Sequence, residues 1–425
     1  MLNYQLTTLD NGLRVITAPV TSTKAVTALV LFGVGSRYED KTENGISHFL
    51  EHMFFKGTEK RPTTLDISRE LDSVGAGYNA YTGEEYTGYF VRVPSEHFTL
   101  GFDVLTDMLL NSKFDAEELA KEKGVIIEEI NMYNDDPKAK VDLVARELVY
   151  PDQPLGRNIA GEKDIIKNMT SEKMVAYKNK FYTPENIVVA IAGGKDSVDW
   201  LKAVEEKFGK LPKTQKNEFA KVTEAQTEPA VKIFEKTTDQ ANFILGFRSI
   251  ERTDDRRPIL KVLTNLMGQM MSSRLFIEVR EKRGLCYYIN ADQYEFQDAG
   301  FWAVSAGVDL NRIKEAIKVI LAEVEKLKTD LITDEELSRA RENLKGHLYL
   351  NLEESMAVAD FLAEQELLWN KIEDPEVVAG RYEKVTREEI RQMAQEFFIP
   401  ANLNLAIVGP YKDDEKFKEI LKNFK

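Results

Sequence analysis

Residues 181–193 read FYTPENIVVAIAG, and residues 397–409 read FFIPANLNLAIVG. At a shift of 216 positions the two segments share Phe, Pro, Asn, Ala, Ile and Gly, six of the thirteen places. Each follows a charged helical pattern, SEKMVAYKNK or TREEIRQMAQE, and each precedes a short segment with a closing amphipathic helix. A second pair, DAEELAKEK from Asp115 and TDEELSRAR from Thr333, lies at a shift of 218–219. Two matches at nearly one offset, about half the chain, indicate two equivalent domains.

The join falls in 211–231, LPKTQKNEFAKVTEAQTEPAV, which has Lys, Thr, Glu and Pro but no sustained periodicity. The expected division is 1–212, a linker over 213–230, and 231–425. Alternating or apolar runs at 14–17, 25–33, 86–93 and 187–192 suggest strands. Helical spacing covers 44–56, 65–74, 95–111, 115–134, 138–149 and 171–180. The pattern predicts an α+β protein: two tandem homologous α/β sandwiches, each a mainly antiparallel sheet with helices packed on one face.

Composition narrows the function. The 425 residues carry 71 acidic and 57 basic side chains, a net charge of −14, which argues against nucleic acid or an anionic membrane surface as partner. No secretory or transit pattern opens the chain and no apolar run approaches a bilayer span, so a cytoplasmic protein is expected. The lone Cys286 precludes an intramolecular disulfide and a cysteine zinc cluster. Only four histidines are present, at 48, 52, 97 and 347.

Two of those four lie in His48-Phe49-Leu50-Glu51-His52. On a helix, four residues turn about 400°, so the two imidazoles point within about 40° of each other and can reach one metal ion. Glu51 falls about 60° to the other side of His48. Relative to the two histidines this is a near mirror image of the HExxH arrangement, so Glu51 can act as general base toward water activated by the metal. Ile46, Phe49, Leu50, Met53 and Phe54 cover the rest of the helix. Three titratable groups on the one polar strip of a buried helix call for an ion or cavity there. Two core histidines placed by chance are the simpler alternative.

A third ligand is sought in LAKEKGVIIEEI, 119–130. With Glu122 set at 0°, Leu119, Val125, Ile126, Ile130 and Tyr133 lie between about −60° and +80°, and Glu129 lies at about −20° within that apolar stripe. Glu128 lies off it, on a face suited to solvent. Glu129 is therefore the candidate ligand and Glu122 a supporting carboxylate that orients one.

With these residues in place, the chain resembles the pitrilysin/insulinase family of zinc metallopeptidases. HFLEHMFFKGT is followed, after 76 intervening residues beyond His52, by the glutamate of VIIEEI, Glu129. The segments LDNGLRVI, GVGSRYE, NAYTGEEYTGYF, LGRNIAG and SSRLFIEVREKRGLCYYI also match its pattern, closest to the short-chain branch that includes mitochondrial processing peptidase. The resemblance implies one Zn2+ per chain on His48, His52 and Glu129, with Glu51 as general base and Glu122 in support. It implies that Arg280 and Tyr287 hold the substrate, and that the Asn79-Ala80 strand binds an extended peptide along a sheet edge. Read without the family, Arg280 suits a surface ion pair, Tyr287 a core position, and GAGYNAYT at 75–82 an ordinary hairpin.

At a shift of 218 the metal motif falls on 266–270 and Glu129 on His347, so no ligand set survives in the second half, and His97 and His347 read as structural. The resemblance further implies peptide substrates and a chamber formed by two chains, as a homodimer or a heterodimer with a related chain. It also admits a competing reading, a non-catalytic or partner-dependent subunit of a processing-peptidase-like complex.

Overall fold

The computed structural model describes residues 2–194, 197–214 and 218–425. The first sheet holds β1 (Gln5–Thr8), β2 (Arg14–Pro19), β3 (Ala25–Phe32), β4 (Gly77–Thr82), β5 (Thr87–Pro94) and β6 (Ile187–Gly193), in the order β1-β2-β6-β3-β5-β4. The second holds β7 (Ala230–Glu235), β8 (Gln240–Ser249), β9 (Cys286–Glu295), β10 (Gly300–Asp309) and β11 (Leu403–Gly409), in the order β7-β11-β8-β10-β9. Only β2/β6 and β7/β11 are parallel pairs; the other neighbours are antiparallel. Removing β1 makes the two orders identical, with β6 and β11, the two repeated segments, in the same place. The mixed α/β architecture expected from the repeat is thus present twice.

The central strands explain themselves by their lack of alternation. Every residue of β6 and of β11 is buried. In β6, Ile187, Val189 and Ile191 join the core that contains the helices Ile46–Phe54 and Phe98–Asn111. The intervening Val188, Ala190 and Ala192 join a separate core on the opposite face. A strand apolar at every position needs cover on both faces. Each sheet therefore carries more than the helices of one face.

That extra cover comes from the other half of the chain. One compact unit gathers Met1–Ile130, Asn158–Ala220 and Tyr349–Pro375; the other gathers Asn131–Arg157, Lys221–Leu348 and Glu376–Lys425. In the first, the helix Ser355–Trp369 packs on β3, β6 and β2. In the second, the helix Pro137–Val149 packs on β11, β8 and β7. Each buried residue of the second helix has a buried counterpart in the first. Val141, Val144, Ala145 and Val149 become Ala359, Leu362, Ala363 and Leu367 when 218 is added to each number. The equivalent helices are exchanged. A split at 1–212 and 231–425 therefore parts the two sheets, but it assigns each of these helices to the half whose sheet it does not cover. Within the linker expected at 213–230, residues 215–217 lie outside the described residues, and its other residues up to Pro229 form neither helix nor strand. Among the described residues no helix is long and apolar enough to cross a membrane.

Leu362 is fully buried against the first sheet. Leu362→Ala should lower stability by about 2–5 kcal/mol, the usual cost of a leucine-sized core deletion. Hydrogen exchange should show the loss of protection in β3 and β6 rather than in β8 and β11, although residue 362 belongs to the second half of the sequence. Loss confined to β8 and β11 would contradict the exchanged packing.

Candidate metal centre

The helix Ile46–Phe54 is set by its apolar side chains: Ile46, Phe49, Leu50, Met53 and Phe54 are all fully buried, as the sequence predicts. Its start is tightly built. Gly45 precedes it with φ 94°, and a Cβ there would stand 2.7 Å from the Cα of Gly161, so only glycine fits. Gly45 has no side chain to cap the helix, and the buried Glu39 carboxylate does so instead. It accepts hydrogen bonds from the backbone N–H groups of Gly45 and Ser47, at 2.8 and 2.9 Å, and from the Asn44 side chain at 3.0 Å. Burial pushes Glu39 up to about 7, against the pull of those donors. The Ser47 and Tyr177 hydroxyls share a 3.0 Å hydrogen bond that ties the same turn to the helix Ser171–Phe181.

His48 and His52 on the polar strip, and Glu129 from a second helix, each present a ligand atom, all within 4.8 Å of one another. Both Nε2 atoms stand 3.6 Å from Glu129, His48 from Oε1 and His52 from Oε2. That is longer than a hydrogen bond. Tetrahedral zinc with bonds of about 2.0–2.1 Å spaces its ligand atoms about 3.4 Å apart, so the set fits zinc. The tautomers agree with this. His52 Nδ1 lies 2.8 Å from Glu122 Oε1, and a proton shared there leaves Nε2 with its lone pair. Burial, and then the neighbouring His52, push His48 down to about 3, so its ring is neutral and able to ligate at neutral pH.

The helix Ala116–Asp135 delivers the two carboxylates. Its buried stripe is Leu119, Glu122, Ile126 and Ile130, narrower than the spacing suggested. Val125 and Tyr133 were expected in that stripe but are exposed. Val125 and Glu129 fall on the same margin of the stripe, at about −60° and −20°, and Tyr133 lies beyond its last buried turn. That marginal position leaves Glu129 open enough to ligate. Glu122 sits inside the stripe with a side chain only 5% exposed, held on one oxygen by His52 and on the other by Lys56 Nζ at 2.6 Å. Burial alone would raise its pKa; these two partners outweigh burial and hold it below the usual carboxylate range.

Glu51 receives a 2.6 Å hydrogen bond from the Thr82 hydroxyl on its Oε2. Burial raises its pKa, Thr82 and His52 oppose the rise, and Glu129 adds to it. Thr82 ends β4, which pairs only with β5 and so forms the open edge of the first sheet. At the hairpin the Gly83 N–H bonds to the Tyr86 carbonyl, which turns the backbone groups of Tyr78, Ala80 and Thr82 away from β5. The Ala80 N–H is met by its neighbour's side chain, Asn79 Oδ1, at 2.9 Å. Of the candidate edge at 75–82, Gly77–Thr82 is a sheet edge, one hydrogen bond from Glu51, while Gly75 and Ala76 lie in the turn before it.

Arg280 and Tyr287 belong to the second unit. Arg280 lies in a π-helical turn, Phe276–Glu281, and Tyr287 is the extra residue of a β-bulge where β9 pairs with β10. Both irregularities re-aim side chains. Tyr287 is 78% exposed, which removes the core reading. The Arg280 guanidinium stacks over Phe276 and Tyr287, at 4.6 and 5.4 Å from the ring centroids, and its ion-pair contact with Glu281 is a distant 3.9 Å. His347 is exposed, and His97 is half-exposed beside Glu96, so neither is a core histidine. At 266–270, Leu266, Met267 and Met270 are buried where the first half has its histidines.

Sequence reasoning passed over Glu39, Lys56 and Thr82. The only signal for each was local: an acid six residues before a glycine-led helix, a lysine one turn after His52, and a hydroxyl two residues after Ala80.

Comparison with known proteins identifies the family of the chain. Residues 14–163 match the family described as Insulinase (Peptidase family M16), and residues 168–344 match the Peptidase M16 inactive domain. An uncharacterized zinc protease of Streptomyces coelicolor is 36% identical over 96% of this chain and 90% of its own length. Another, from Bacillus subtilis, is 34% identical over 95% of this chain and 97% of its own length. The crystal structure of a protease from Helicobacter pylori superposes with a TM-score of 0.91 over 96% of this chain and all of that one; at 23% identity this is a likeness of fold.

Glu39 also makes the metal helix sensitive to pH. Its carboxyl holds its proton to about 7 when folded, against 4.5 ordinarily. The folded state thus binds the proton more tightly, and the stability this confers is present below about 4.5 and lost as pH rises through about 7. Urea unfolding of the metal-free protein should show that decline, and Glu39→Gln should flatten it. Parallel profiles for the two proteins would show that Glu39 ionises normally.

Proposed function

We propose, from the premise that this chain belongs to the insulinase family (peptidase family M16), that it is a zinc-dependent endopeptidase acting on unstructured peptides. The observation that carries the reading is the grouping of His48, His52 and Glu129 at zinc spacing, with Glu51 on the same strip of helix. Zinc held by this set supplies the Lewis acidity that makes water nucleophilic at neutral pH. Glu51 takes the proton from the attacking water and hands it to the leaving amine nitrogen. Its raised proton affinity suits a base that must hold the proton between those two steps, and Thr82 fixes one oxygen so that the other faces the reaction.

The substrate adds to β4 as an extended strand. Ala80 and its neighbours at the open edge pair with the peptide main chain, and Asn79 gives up the Ala80 N–H as the peptide arrives. Recognition through the backbone leaves side-chain specificity loose. Arg280 and Tyr287, on the same reading, donate to the peptide main chain and steady the developing oxyanion. Two copies of the chain enclose the chamber in which cleavage occurs. The intact ligand set and general base count against a purely non-catalytic subunit.

The purified protein should hold one zinc per chain and cleave an unstructured peptide. Glu51→Gln should keep the zinc and lose at least about 100-fold in kcat, as expected when a general base is removed. Arg280→Ala and Tyr287→Phe should slow cleavage with zinc content unchanged. Wild type without zinc, or equal cleavage by wild type and Glu51→Gln, would sink the peptidase reading.

A further inference from the structure

We propose that Lys56 is a positioning residue for the zinc ligand His52, acting through Glu122. The inference rests on the zinc reading above and extends it to a residue with no direct reach to the metal.

Lys56 follows His52 by four residues and lies just past the end of that helix, in the turn where its N–H bonds to the Met53 carbonyl. Its Nζ lies 2.6 Å from Glu122 Oε2, while Glu122 Oε1 lies 2.8 Å from His52 Nδ1. The Glu122 carboxylate is therefore gripped between a side chain of the helix and one from the turn that ends it. Neither oxygen is spare: one is fixed by the ammonium, the other by the imidazole. A carboxylate held only by His52 could rotate about its terminal bond and tilt the ring with it. Held also by Lys56, it keeps Oε1 in the plane that aims His52 Nε2 at Glu129.

The two histidines differ in this respect. His48 Nδ1 is buried and has no hydrogen-bond partner among the described residues, so packing alone sets that ring. His52 has a more exposed side chain, at 21% against 12%, and depends on its outer hydrogen bond for aim. Outer partners of metal-bound histidines commonly contribute 10–100-fold in metal affinity. Lys56 extends that dependence by one further residue.

The test is zinc affinity of the folded full-length protein, measured by chelator competition, with imidazole 15N shifts of the metal-free protein as a second readout. Lys56→Met should weaken zinc binding about 10-fold or more and broaden or shift the His52 resonances while leaving those of His48 in place. Lys56→Arg should restore both. Glu122→Gln should weaken binding at least as much, and adding Lys56→Met to it should cost nothing further, because the lysine acts only through the carboxylate. Lys56→Gln replaces Lys56→Met if the latter does not fold. Unchanged affinity in the lysine variants, or full additivity with Glu122→Gln, would overturn the proposal. Failure of the wild type to bind zinc would instead remove the reading on which it rests.

Discussion

The rotational setting of one nine-residue helix governs the rest of the site. Five of its apolar side chains are fully buried, so it cannot roll without moving a phenylalanine or leucine into water, at about 1.5–3 kcal/mol each. Once the roll is fixed, the remaining strip must point at the helix Ala116–Asp135 and the edge of the first sheet. The imidazoles, the base and their partners inherit their positions from apolar packing. Polar contacts then refine what packing has set: Glu39 holds the first turn, Thr82 holds Glu51, and Glu122 holds His52.

Much of this was legible in the residues. The duplication was visible in two short segments, and apart from β1 the structure repeats it strand for strand. The metal motif was legible because a helix has a period, and two histidines and a glutamate on one strip have few ordinary explanations. What stayed hidden depends on contacts between segments distant in the chain. Thr82 and Glu51 are 31 positions apart, and Lys56 and Glu122 are 66 apart; no periodicity links such pairs. The exchanged helices were hidden for the same reason. Their apolar faces were readable, but a helix face does not say which of two similar sheets it covers. The wholly apolar β6 did carry a hint, since a strand covered on one face alone would alternate.

The second half shows how a duplicated framework diverges. At the positions of the metal motif it has buried Leu266 and Met267, and the chain there winds into a π-helical turn, Asn265–Gln269. The irregular features of this half, a second π-helical turn and a β-bulge, lie at Arg280 and Tyr287. The first half has its polar groups on a regular helix and edge strand; the second presents its distinctive side chains through local departures from regular geometry. Both arrangements leave the central strands untouched.

The exchanged helices also set the order in which the protein can finish folding as it is synthesised. The first sheet is complete once β6 has been made, yet Leu29, Leu31, Val188, Ala190 and Ala192 remain uncovered until the helix Ser355–Trp369 emerges. The helix Pro137–Val149 is made before any strand of the sheet it covers, and waits with its own apolar face open. For much of translation the nascent chain therefore carries two sticky surfaces that nothing yet made can close. The gene duplication that produced two alike halves thus yielded a molecule in which neither half is self-sufficient.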